Sequence, residues 1–489
     1  MADTRQHWLI PDAPYESYAA YQSHTGHDAV AKAHNLDPDA VLDEIHASGL
    51  RGRGGAGFPT GTKWASVKNH PCDIRYIVCN AAEGEPGTFK DRWLLRHNPY
   101  AVIEGMLIAG RVVGSRRLYI AIKHSFHEEI ARLNRAIEQM RDSIGDCSIE
   151  VVEGPEEYLF GEEKALLEVI EGNEPLPREA HYPPYERGLF ASPGSPNPAV
   201  VNNAETFAHV PSIVRAGAAS FRMQGTADTP GTVLYTISGD VARPGIYERE
   251  AGIPMRELID DVAGGVPDGR KVKVVLSGVA AKPITPDKLD TRTDFGSMHL
   301  IGSGLGSAGF VVYDDRTWIP SLARAVARFL FVESCNQCSA CKSGLRTASQ
   351  AIDELFDPAT ATTDDYPRAL YGARAAPQGN RCYLPVQGSV VIPSLMTGFA
   401  SEFEHQLANP TEHGDPIPIP KLEDFVPGRG FALDEHQAAK TPDWTYETAP
   451  IPESVRVPPD LAARLAERAG DRSVDELVRL ALELWLDGS

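Results

Sequence analysis

The sequence contains no long hydrophobic run. No stretch of about 18 consecutive apolar residues occurs, which is the length that a membrane-spanning helix needs. The first residues, 1–7, also lack the apolar segment of a secretory signal peptide. We therefore expect a cytoplasmic protein without direct membrane insertion. Any association with a membrane is then made through partner subunits.

Basic residues are scarce relative to acidic ones. Lysine and arginine number 47, against 67 aspartate and glutamate residues, so the formal net charge at pH 7 is −20. A chain this acidic is repelled by the phosphates of nucleic acids and by anionic lipid surfaces. Binding to either is therefore not expected to be its main function. With 489 residues, the chain is long enough to form several domains with sizeable cores.

Cysteine is rare, and its distribution is uneven. Cys335, Cys338 and Cys341 form a C-x-x-C-x-x-C run, Cys382 follows further on, and the other three cysteines are scattered. This is not the pattern of a disulfide framework. Such a run binds three corners of a [4Fe–4S] cubane, and a distant cysteine completes the ligand set. Zinc is the alternative, but four-cysteine zinc sites usually consist of two C-x-x-C pairs. The pattern therefore favours an iron–sulfur cluster.

A glycine-rich stretch in the first quarter of the chain is a candidate binding loop. Half of residues 52–61 are glycine, and basic side chains lie among and beside them. Such a backbone takes positive φ angles and approaches a ligand closely, and its exposed N–H groups bind phosphate. The alternative is a loop that is merely flexible. The candidate residues are Gly52, Arg53, Gly54, Gly55, Gly57 and Lys63.

A short apolar strand, residues 75–78, leads from this loop into a polar turn. The turn carries Asn80, Glu83 and Glu85. An amide and carboxylates are suitable hydrogen-bonding groups for a flavin or for ribose hydroxyls. A solvated charged turn is the alternative, but the glycine loop is so close in sequence that a shared ligand site is favoured.

Strands and helices alternate between residues 99 and 216. Apolar strands are predicted at 117–122 and 148–152, with an amphipathic helix at 128–140 between them. The alternation predicts a parallel, Rossmann-like sheet. Ligands of such sheets bind at the carboxyl ends of the strands. The polar turn follows a strand at that end.

The glycine loop, the polar turn and the cysteine set resemble those of the NADH-binding flavin and iron–sulfur subunit of respiratory complex I, the 51 kDa-type subunit. NAD-linked hydrogenases and formate dehydrogenases share this module. The resemblance covers roughly residues 15 to 435. It implies an α/β multidomain protein with a Rossmann-like flavin domain, a β-grasp insert and a C-terminal helical bundle that carries the iron–sulfur cluster.

The predicted organisation divides the chain into six parts. They are an N-terminal arm (1–36), an FMN/NADH-binding α/β domain (37–225), a β-grasp domain that resembles soluble-ligand-binding domains (226–317), a helical iron–sulfur domain (318–408), a Pro-rich extended segment (409–453) and a strand-helix-helix tail (454–489). The Pro-rich segment is expected to wrap a surface or a partner. The tail resembles a ribbon-helix-helix unit. Its acidic balance argues against DNA binding and favours assembly or docking, and a helical hairpin packed on its own chain is the alternative.

The resemblance also implies roles for individual residues. A Tyr-x-x-Gly-Glu-Glu motif lines the family's NADH pocket, where its negative charge disfavours the extra phosphate of NADPH. An Asn-Asn-x-Glu-Thr motif holds the flavin phosphate or ribityl chain. Phe58 is expected to stack on nicotinamide or adenine and Tyr185 on adenine. Glu85, the catalytic candidate, is expected near the nicotinamide. The matching motif residues are Tyr158, Gly161, Glu162, Glu163, Asn202 and Asn203.

Two positions depart from the family pattern. Ala82 stands where the family has an aspartate that contacts the flavin, and Tyr182 stands where it has a lysine. The missing carboxylate could weaken FMN binding, shift the flavin potential or be covered by Glu83. These departures motivate an alternative function. The chain would then be an electron-relay or structural subunit with impaired flavin or NADH binding.

The main function implied by the resemblance is NADH oxidation, or NAD reduction, by one subunit of a larger oxidoreductase. FMN takes a hydride from NADH, and a [4Fe–4S] cluster takes the electrons singly. No further ferredoxin-type cysteine run is present. Partners are therefore expected: a small [2Fe–2S] thioredoxin-like subunit and a larger iron–sulfur or catalytic subunit. Quinone, protons and CO₂ or formate all stay open as terminal acceptors.

Overall fold

The structure is a computed structural model that describes residues 8–26, 28–179, 182–412 and 416–442. The predicted tail, residues 454–489, lies outside the described residues, as does the end of the Pro-rich segment. Within the described part of the chain, no helix combines the length and the apolar character that crossing a membrane requires.

A four-stranded parallel sheet forms the centre of the first half of the chain. Its strands lie in the order β3-β2-β1-β4. Strands β1 and β4 in the middle and at one edge are largely buried and apolar, whereas β3 at the other edge alternates apolar residues with exposed polar ones. The predicted parallel, Rossmann-like sheet is therefore confirmed. The strands are β1 (Tyr76–Ala81), β2 (Arg117–Lys123), β3 (Ser148–Gly154) and β4 (Ala199–Asn203).

Helices before, between and after these strands complete the first layer. Helix α6 is buried along nearly its whole length, and its buried Glu104 accepts hydrogen bonds from Tyr18 (3.3 Å) and Tyr21 (2.7 Å). The predicted N-terminal arm therefore contains helices whose side chains enter the main core. The helices are α1 (Tyr18–Thr25), α2 (Ala29–Asn35), α3 (Pro38–Ser48), α4 (Thr60–Lys68), α5 (Lys90–His97), α6 (Pro99–Val113), α7 (His127–Gln139), α8 (Arg141–Ile144), α9 (Glu163–Ile170), α10 (Ala204–Ala216) and α11 (Ala218–Phe221).

A second sheet of four strands follows, in the order β6-β5-β8-β7. Strands β5 and β8 are parallel, while the two outer pairs are antiparallel. The sheet has its own apolar core, and short helices cover it. Its strands are β5 (Thr232–Gly239), β6 (Gly245–Glu250), β7 (Val272–Ser277) and β8 (Gly309–Asp314), with helices α12 (Met255–Glu257) and α13 (Phe295–Leu300).

Five helices follow the second sheet along the chain, and the four predicted cluster cysteines lie within or between them. Helices α15 and α16 approach so closely that only glycine fits at their crossing. A Cβ on Gly344 would lie 2.6 Å from the Gly372 carbonyl oxygen, and a Cβ on Gly372 would lie 2.7 Å from that of Gly344. The helices are α14 (Ile319–Glu333), α15 (Ser339–Glu354), α16 (Asp365–Ala375), α17 (Leu384–Gly398) and α18 (Ala400–Ala408).

The described end of the chain, residues 416–442, is here called the C-terminal strap. The sequence predicted an extended segment, but the strap contains a hairpin of β9 (Leu422–Val426) and β10 (Gly430–Leu433) and the short helix α19 (His436–Ala439). Phe425 packs edge-on against Trp93 of α5, with ring centroids 5.2 Å apart. The strap thus packs on its own chain.

Candidate functional site

The glycine loop closes on itself before α4 begins. The Gly52 N–H donates to the Phe58 carbonyl (2.9 Å), and the Thr60 N–H donates to the Leu50 carbonyl (2.9 Å). Between these bonds the loop lies against β4, because a Cβ on Gly54 would lie 3.1 Å from Cβ of Asn203. The backbone of the loop therefore lies at the carboxyl end of the parallel sheet, where sequence reasoning predicted a ligand.

The predicted asparagines lie side by side at this end. Asn80 on β1 is the register partner of Asn203 on β4, and Cys79 is that of Asn202. Asn80 Nδ2 donates to the Gly161 carbonyl (2.8 Å). Asn203 accepts from the Glu205 N–H (3.0 Å), which caps α10. These contacts bring the motifs of three separate loops together.

Two buried polar groups at the site are free to meet a ligand. Asn202 Oδ1 finds no hydrogen-bond partner among the described residues, nor do Arg53 Nε and Nη1. Arg53 is buried; among the described residues, its guanidinium donates only through Nη2, to the Pro230 carbonyl at 2.6 Å. Burying a guanidinium with unused donors is costly unless an acceptor fills the space. Donors of this kind suit a phosphate, so the residues fit FMN.

Lys63 and the predicted aromatic residues line the neighbouring surface. Lys63 Nζ pairs with Glu163 (2.6 Å) and donates to the Val201 carbonyl (2.9 Å). The Phe58 and Tyr185 rings stack with centroids 6.1 Å apart and planes inclined by 23°. Phe58 remains 39% exposed. The geometry thus brings together a charged pair and a flat apolar surface on which a heterocycle can stack.

Glu83 holds the turn after β1 in place. Its Oε1 accepts from the Asp91 N–H (3.0 Å), and its Oε2 pairs with Arg92 Nε (2.9 Å). Both carboxylate oxygens are therefore used within the chain. Because of this, the geometry does not support the idea that Glu83 replaces the carboxylate missing at Ala82.

Glu85 connects the turn to two other parts of the molecule. It is the acceptor of the Tyr158 hydroxyl (2.5 Å) and of the Val279 N–H (2.7 Å), which lies in the turn after β7. Burial raises the pKa of Glu85, although these two hydrogen bonds oppose the rise. The Tyr158 hydroxyl in turn accepts from Gln387 Nε2 of α17 (2.8 Å). One hydrogen-bonded chain therefore runs from the turn to the helix that follows Cys382.

Glu162 has a local structural role. Its Oε2 accepts from the N–H groups of Lys164 (3.0 Å) and Ala165 (2.9 Å), so it caps the N-terminus of α9. Burial raises the pKa of Glu162, against the effect of Lys164. The neighbouring Glu163 is the one that pairs with Lys63.

The four predicted cluster cysteines line one cavity. Leu159, from the flavin side, contributes to its apolar wall. Within the described residues, no three or more His, Cys, Asp or Glu side chains converge on a single metal ion. The four thiols nevertheless line the same cavity, and four cysteines are the ligand set of a [4Fe–4S] cubane, so the donor set fits this cluster. Burial raises the pKa of Cys341 to about 11, so cluster binding must release protons. The lining cysteines are Cys335, Cys338, Cys341 and Cys382.

Sequence reasoning missed two buried lysines at the site. Lys123 ends β2, and its Nζ donates to the Glu156 carbonyl (3.0 Å); burial lowers its pKa to about 8. Lys90 Nζ lies 2.8 Å from both Asp91 and Glu205. Lys123 could have been predicted as a site residue, because it is a lysine at the carboxyl end of an apolar strand and ligands bind at that end of a parallel sheet.

Glu205 provides a test of the charge network under the glycine loop. Burial alone would raise its pKa, but Lys90, His209 and Arg53 outweigh burial and lower the pKa to about 2. We therefore expect Glu205→Gln to reduce the free energy of unfolding at pH 7 by about 3 kcal/mol. The difference should shrink as the pH falls from about 5 towards 2, since the stabilisation is lost as Glu205 is protonated in the folded state.

Urea unfolding at several pH values measures this difference. Glu153→Gln, at an exposed position of β3, is the matched control and should change little at any pH. A Glu205→Gln penalty that stays constant between pH 7 and pH 3 would contradict the assignment.

Asn336, inside the cysteine run, provides a second test. Its φ is 63°, in the left-handed region that only glycine adopts freely. Asn336→Val should therefore cost about 1–2 kcal/mol locally, and iron should be lost to a chelator faster. Asn336→Gly, the matched variant, should retain iron at least as well as the natural chain. Equal retention by the valine variant would show that the loop readily changes conformation.

Comparison with known proteins identifies the family. A family model described as the Nuo51 FMN-binding domain matches residues 45–212, and one for the NADH-ubiquinone oxidoreductase-F iron–sulfur binding region matches residues 321–406. The F 2 subunit of NADH-quinone oxidoreductase from Rhizobium meliloti (strain 1021) is 40% identical over 348 residues, which are 69% of this chain and 81% of that protein. The chain belongs to the family of NADH-quinone oxidoreductase F subunits.

Another relative and a solved structure agree with this. The F subunit of NADH-quinone oxidoreductase from Rickettsia typhi (strain ATCC VR-144 / Wilmington) is 36% identical over 388 residues, covering 76% of this chain and 90% of the relative. The crystal structure of an NAD+-reducing [NiFe]-hydrogenase in the H2-reduced state has a TM-score of 0.71 and 31% identity, covering 80% of this chain and 67% of that one.

Membership of this family confirms the predicted activity and cofactors. The chain is the oxidoreductase subunit that oxidises NADH with FMN and passes the electrons to a [4Fe–4S] cluster. It works as part of a multi-subunit enzyme.

Proposed function

We propose that FMN and NADH bind in the cleft between the glycine loop and the carboxyl ends of β1 and β4, and that the four cysteines bind the cluster. When bound, FMN supplies the two-electron to one-electron conversion that links hydride transfer to the cluster. The observation that carries the proposal is the set of unpartnered buried groups on Arg53 and Asn202, one in the glycine loop and the other on β4.

Each predicted residue has a proposed task in this cleft. The loop backbone and Arg53 bind the flavin phosphate, and the asparagines orient the ribityl chain. The Phe58 and Tyr185 rings supply the stacking surface for NADH, and Glu85 fixes the nicotinamide end. The proposed FMN and NADH contacts are Gly52, Arg53, Gly54, Gly55, Gly57, Phe58, Lys63, Asn80, Glu85, Tyr158, Gly161, Glu162, Glu163, Tyr185, Asn202 and Asn203. Glu83, whose two carboxylate oxygens are engaged by Asp91 and Arg92, holds the turn in place instead.

Two consecutive residues connect the flavin cleft to the proposed cluster site. Tyr158 hydrogen-bonds to Glu85 on the flavin side, and the next residue, Leu159, lines the cysteine cavity. Both Tyr158 and Glu85 are half-buried. This connection supports direct electron transfer within the chain.

The finer organisation is proposed in the same way. We assign the second sheet to a β-grasp insert and the five helices with the cysteines within or between them to a cluster-carrying bundle, within the six divisions predicted from the sequence. The electrons then pass to a small [2Fe–2S] thioredoxin-like subunit and a larger iron–sulfur or catalytic subunit in the cytoplasm. Because the strap packs on its own chain, we propose that partner subunits bind to other surfaces, including the tail.

An anaerobic optical and EPR titration of the purified chain with NADH and with NADPH tests the proposal. Flavin bleaching together with a reduced-cluster EPR signal is expected with NADH alone. Bound iron without flavin, or flavin that NADH cannot bleach, would instead support the electron-relay alternative. The engaged carboxylate of Glu83 beside Ala82 is the observation in favour of that alternative.

A further inference from the structure

A buried carboxylate lies where the C-terminal strap meets the cluster loop. Glu333 is the last residue of α14 and is 0% exposed. Lys440 Nζ of the strap lies 2.9 Å from its Oε1 and 2.8 Å from its Oε2. Gln437 Nε2 donates to Oε1 at 3.1 Å. The strap therefore supplies the positive charge that compensates this carboxylate.

A second contact holds the same end of the strap. Arg328, on the same helix, donates to the carbonyls of Gln437 (3.3 Å), Ala438 (2.8 Å) and Lys440 (2.9 Å). A cation on α14 thus binds the strap backbone, and an anion on α14 binds the strap lysine. These two contacts of opposite charge hold Lys440 in place beside Glu333.

Glu333 is linked to both proposed redox sites through its neighbours. Its Oε2 accepts from the Tyr158 N–H at 3.1 Å, and the Tyr158 hydroxyl donates to Glu85. Along the chain, Glu333 is followed by Ser334 and Cys335. The Ser334 hydroxyl lies 3.2 Å from Cys341 Sγ, and its carbonyl accepts from Lys342 (2.7 Å). A change at Glu333 therefore reaches the cluster loop and the flavin side together.

We propose that Lys440 is a positioning residue that raises the reduction potential of the cluster by neutralising Glu333. The proposal rests on the proposed cluster at the four cysteines. The potential of an iron–sulfur cluster depends on the net charge and the hydrogen bonds around it. In a buried site, an uncompensated carboxylate disfavours the addition of an electron nearby. Lys440 removes that penalty and keeps Glu333 on the Tyr158 N–H.

The test is an EPR-monitored redox titration of the full-length chain, loaded anaerobically with FMN, iron and sulfide. At the potential where the natural cluster is half reduced, Lys440→Met should lower the ratio of reduced to oxidised cluster about tenfold, which for one electron is about 59 mV. Lys440→Arg, which keeps the charge, should restore most of the ratio. Glu333→Gln should move it in the opposite direction, and the double variant Lys440→Met/Glu333→Gln should return towards the natural value.

Asp424→Asn is the matched control for loss of strap anchoring. Asp424 pairs with Arg96 (2.8 Å) at the other end of the strap, away from Glu333. It should lower the melting temperature without changing the cluster potential. If Lys440→Met also lowers only the melting temperature, Lys440 merely stabilises the strap and the inference is wrong. A natural chain with no cluster signal would instead overturn the proposed cluster site, so the two failures are distinguishable.

Discussion

Cys382→Ala should abolish the cluster while the flavin site continues to react with NADH. Cys382 is one of four thiols around a single cavity, and it is the one that the sequence places far from the others. With three thiolates left, one iron corner lacks a protein ligand. We expect iron content and the reduced-cluster EPR signal to fall to about a tenth or less, by analogy with the loss of affinity on removal of a metal-site group. NADH should still bleach the flavin.

Cys72→Ala is the matched control for this loss. Cys72 is half-buried, and its Sγ contacts Asn197 at 3.7 Å, away from the cluster cavity. The control should retain natural iron content and a natural EPR signal. An unchanged cluster signal in Cys382→Ala would contradict the assignment and indicate another fourth ligand.

Gly54→Val should have the opposite selectivity: flavin lost and cluster retained. A Cβ at this position already lies 3.1 Å from Asn203 Cβ, and the two added methyl groups must displace either the loop or the asparagine. Overpacking of this kind costs about 1–3 kcal/mol. If that strain is relieved by deforming the FMN cradle, the FMN dissociation constant should rise about 5- to 150-fold. Fluorescence titration of the flavin-free chain with FMN measures this change.

Gly398→Val is the matched control for Gly54→Val. Gly398 ends α17, and no atom lies within 4 Å of a Cβ built there. It should bind FMN with natural affinity. Gly54→Ala should fall between the natural chain and the valine variant. FMN affinity that is unchanged in Gly54→Val would place the flavin away from the glycine loop.

These variants together separate the two proposed sites. One removes iron and leaves flavin, and the other removes flavin and leaves iron. In an electron-relay subunit without a working flavin site, iron content and the EPR signal would respond to Cys382→Ala as predicted. The FMN titration would then show no binding to compare between the natural chain and Gly54→Val. The pair therefore tests the residue assignments, which the family membership alone does not reach.

Much of the site was predictable because its motifs are local. The glycine loop and the C-x-x-C-x-x-C run each function through residues within a few positions of one another. The alternation of strands and helices predicted the parallel sheet, and the sheet rule placed Asn80 at the ligand end. The loop conformation and the parallel sheet were predictable because glycine content and the alternation of strands and helices can both be seen directly in the sequence.

Other features depended on contacts between distant parts of the chain. Glu83 looked like a flavin ligand, but its partner Arg92 is itself held by the Leu422 carbonyl, 330 residues away. The strap looked extended because its prolines are frequent, yet Phe425 and Phe431 bury their rings against α5 and its start. Prolines limit backbone angles, but they do not tell which apolar surface a segment covers.

The sequence by itself predicted the sheet type and a four-cysteine cluster site, because the alternation of strands and helices and the C-x-x-C-x-x-C run are local patterns, and the resemblance of its motifs to a known family predicted FMN and NAD(H). Only the tertiary structure decided which polar groups stay unpartnered for a ligand and which are consumed within the chain. It left polar atoms of Arg53 and Asn202 without a partner but paired Glu83 with Arg92. It also formed the ion pair between Lys440 and Glu333. The physical reason is that a side chain's chemistry is local, whereas its partner is chosen by packing over the whole fold.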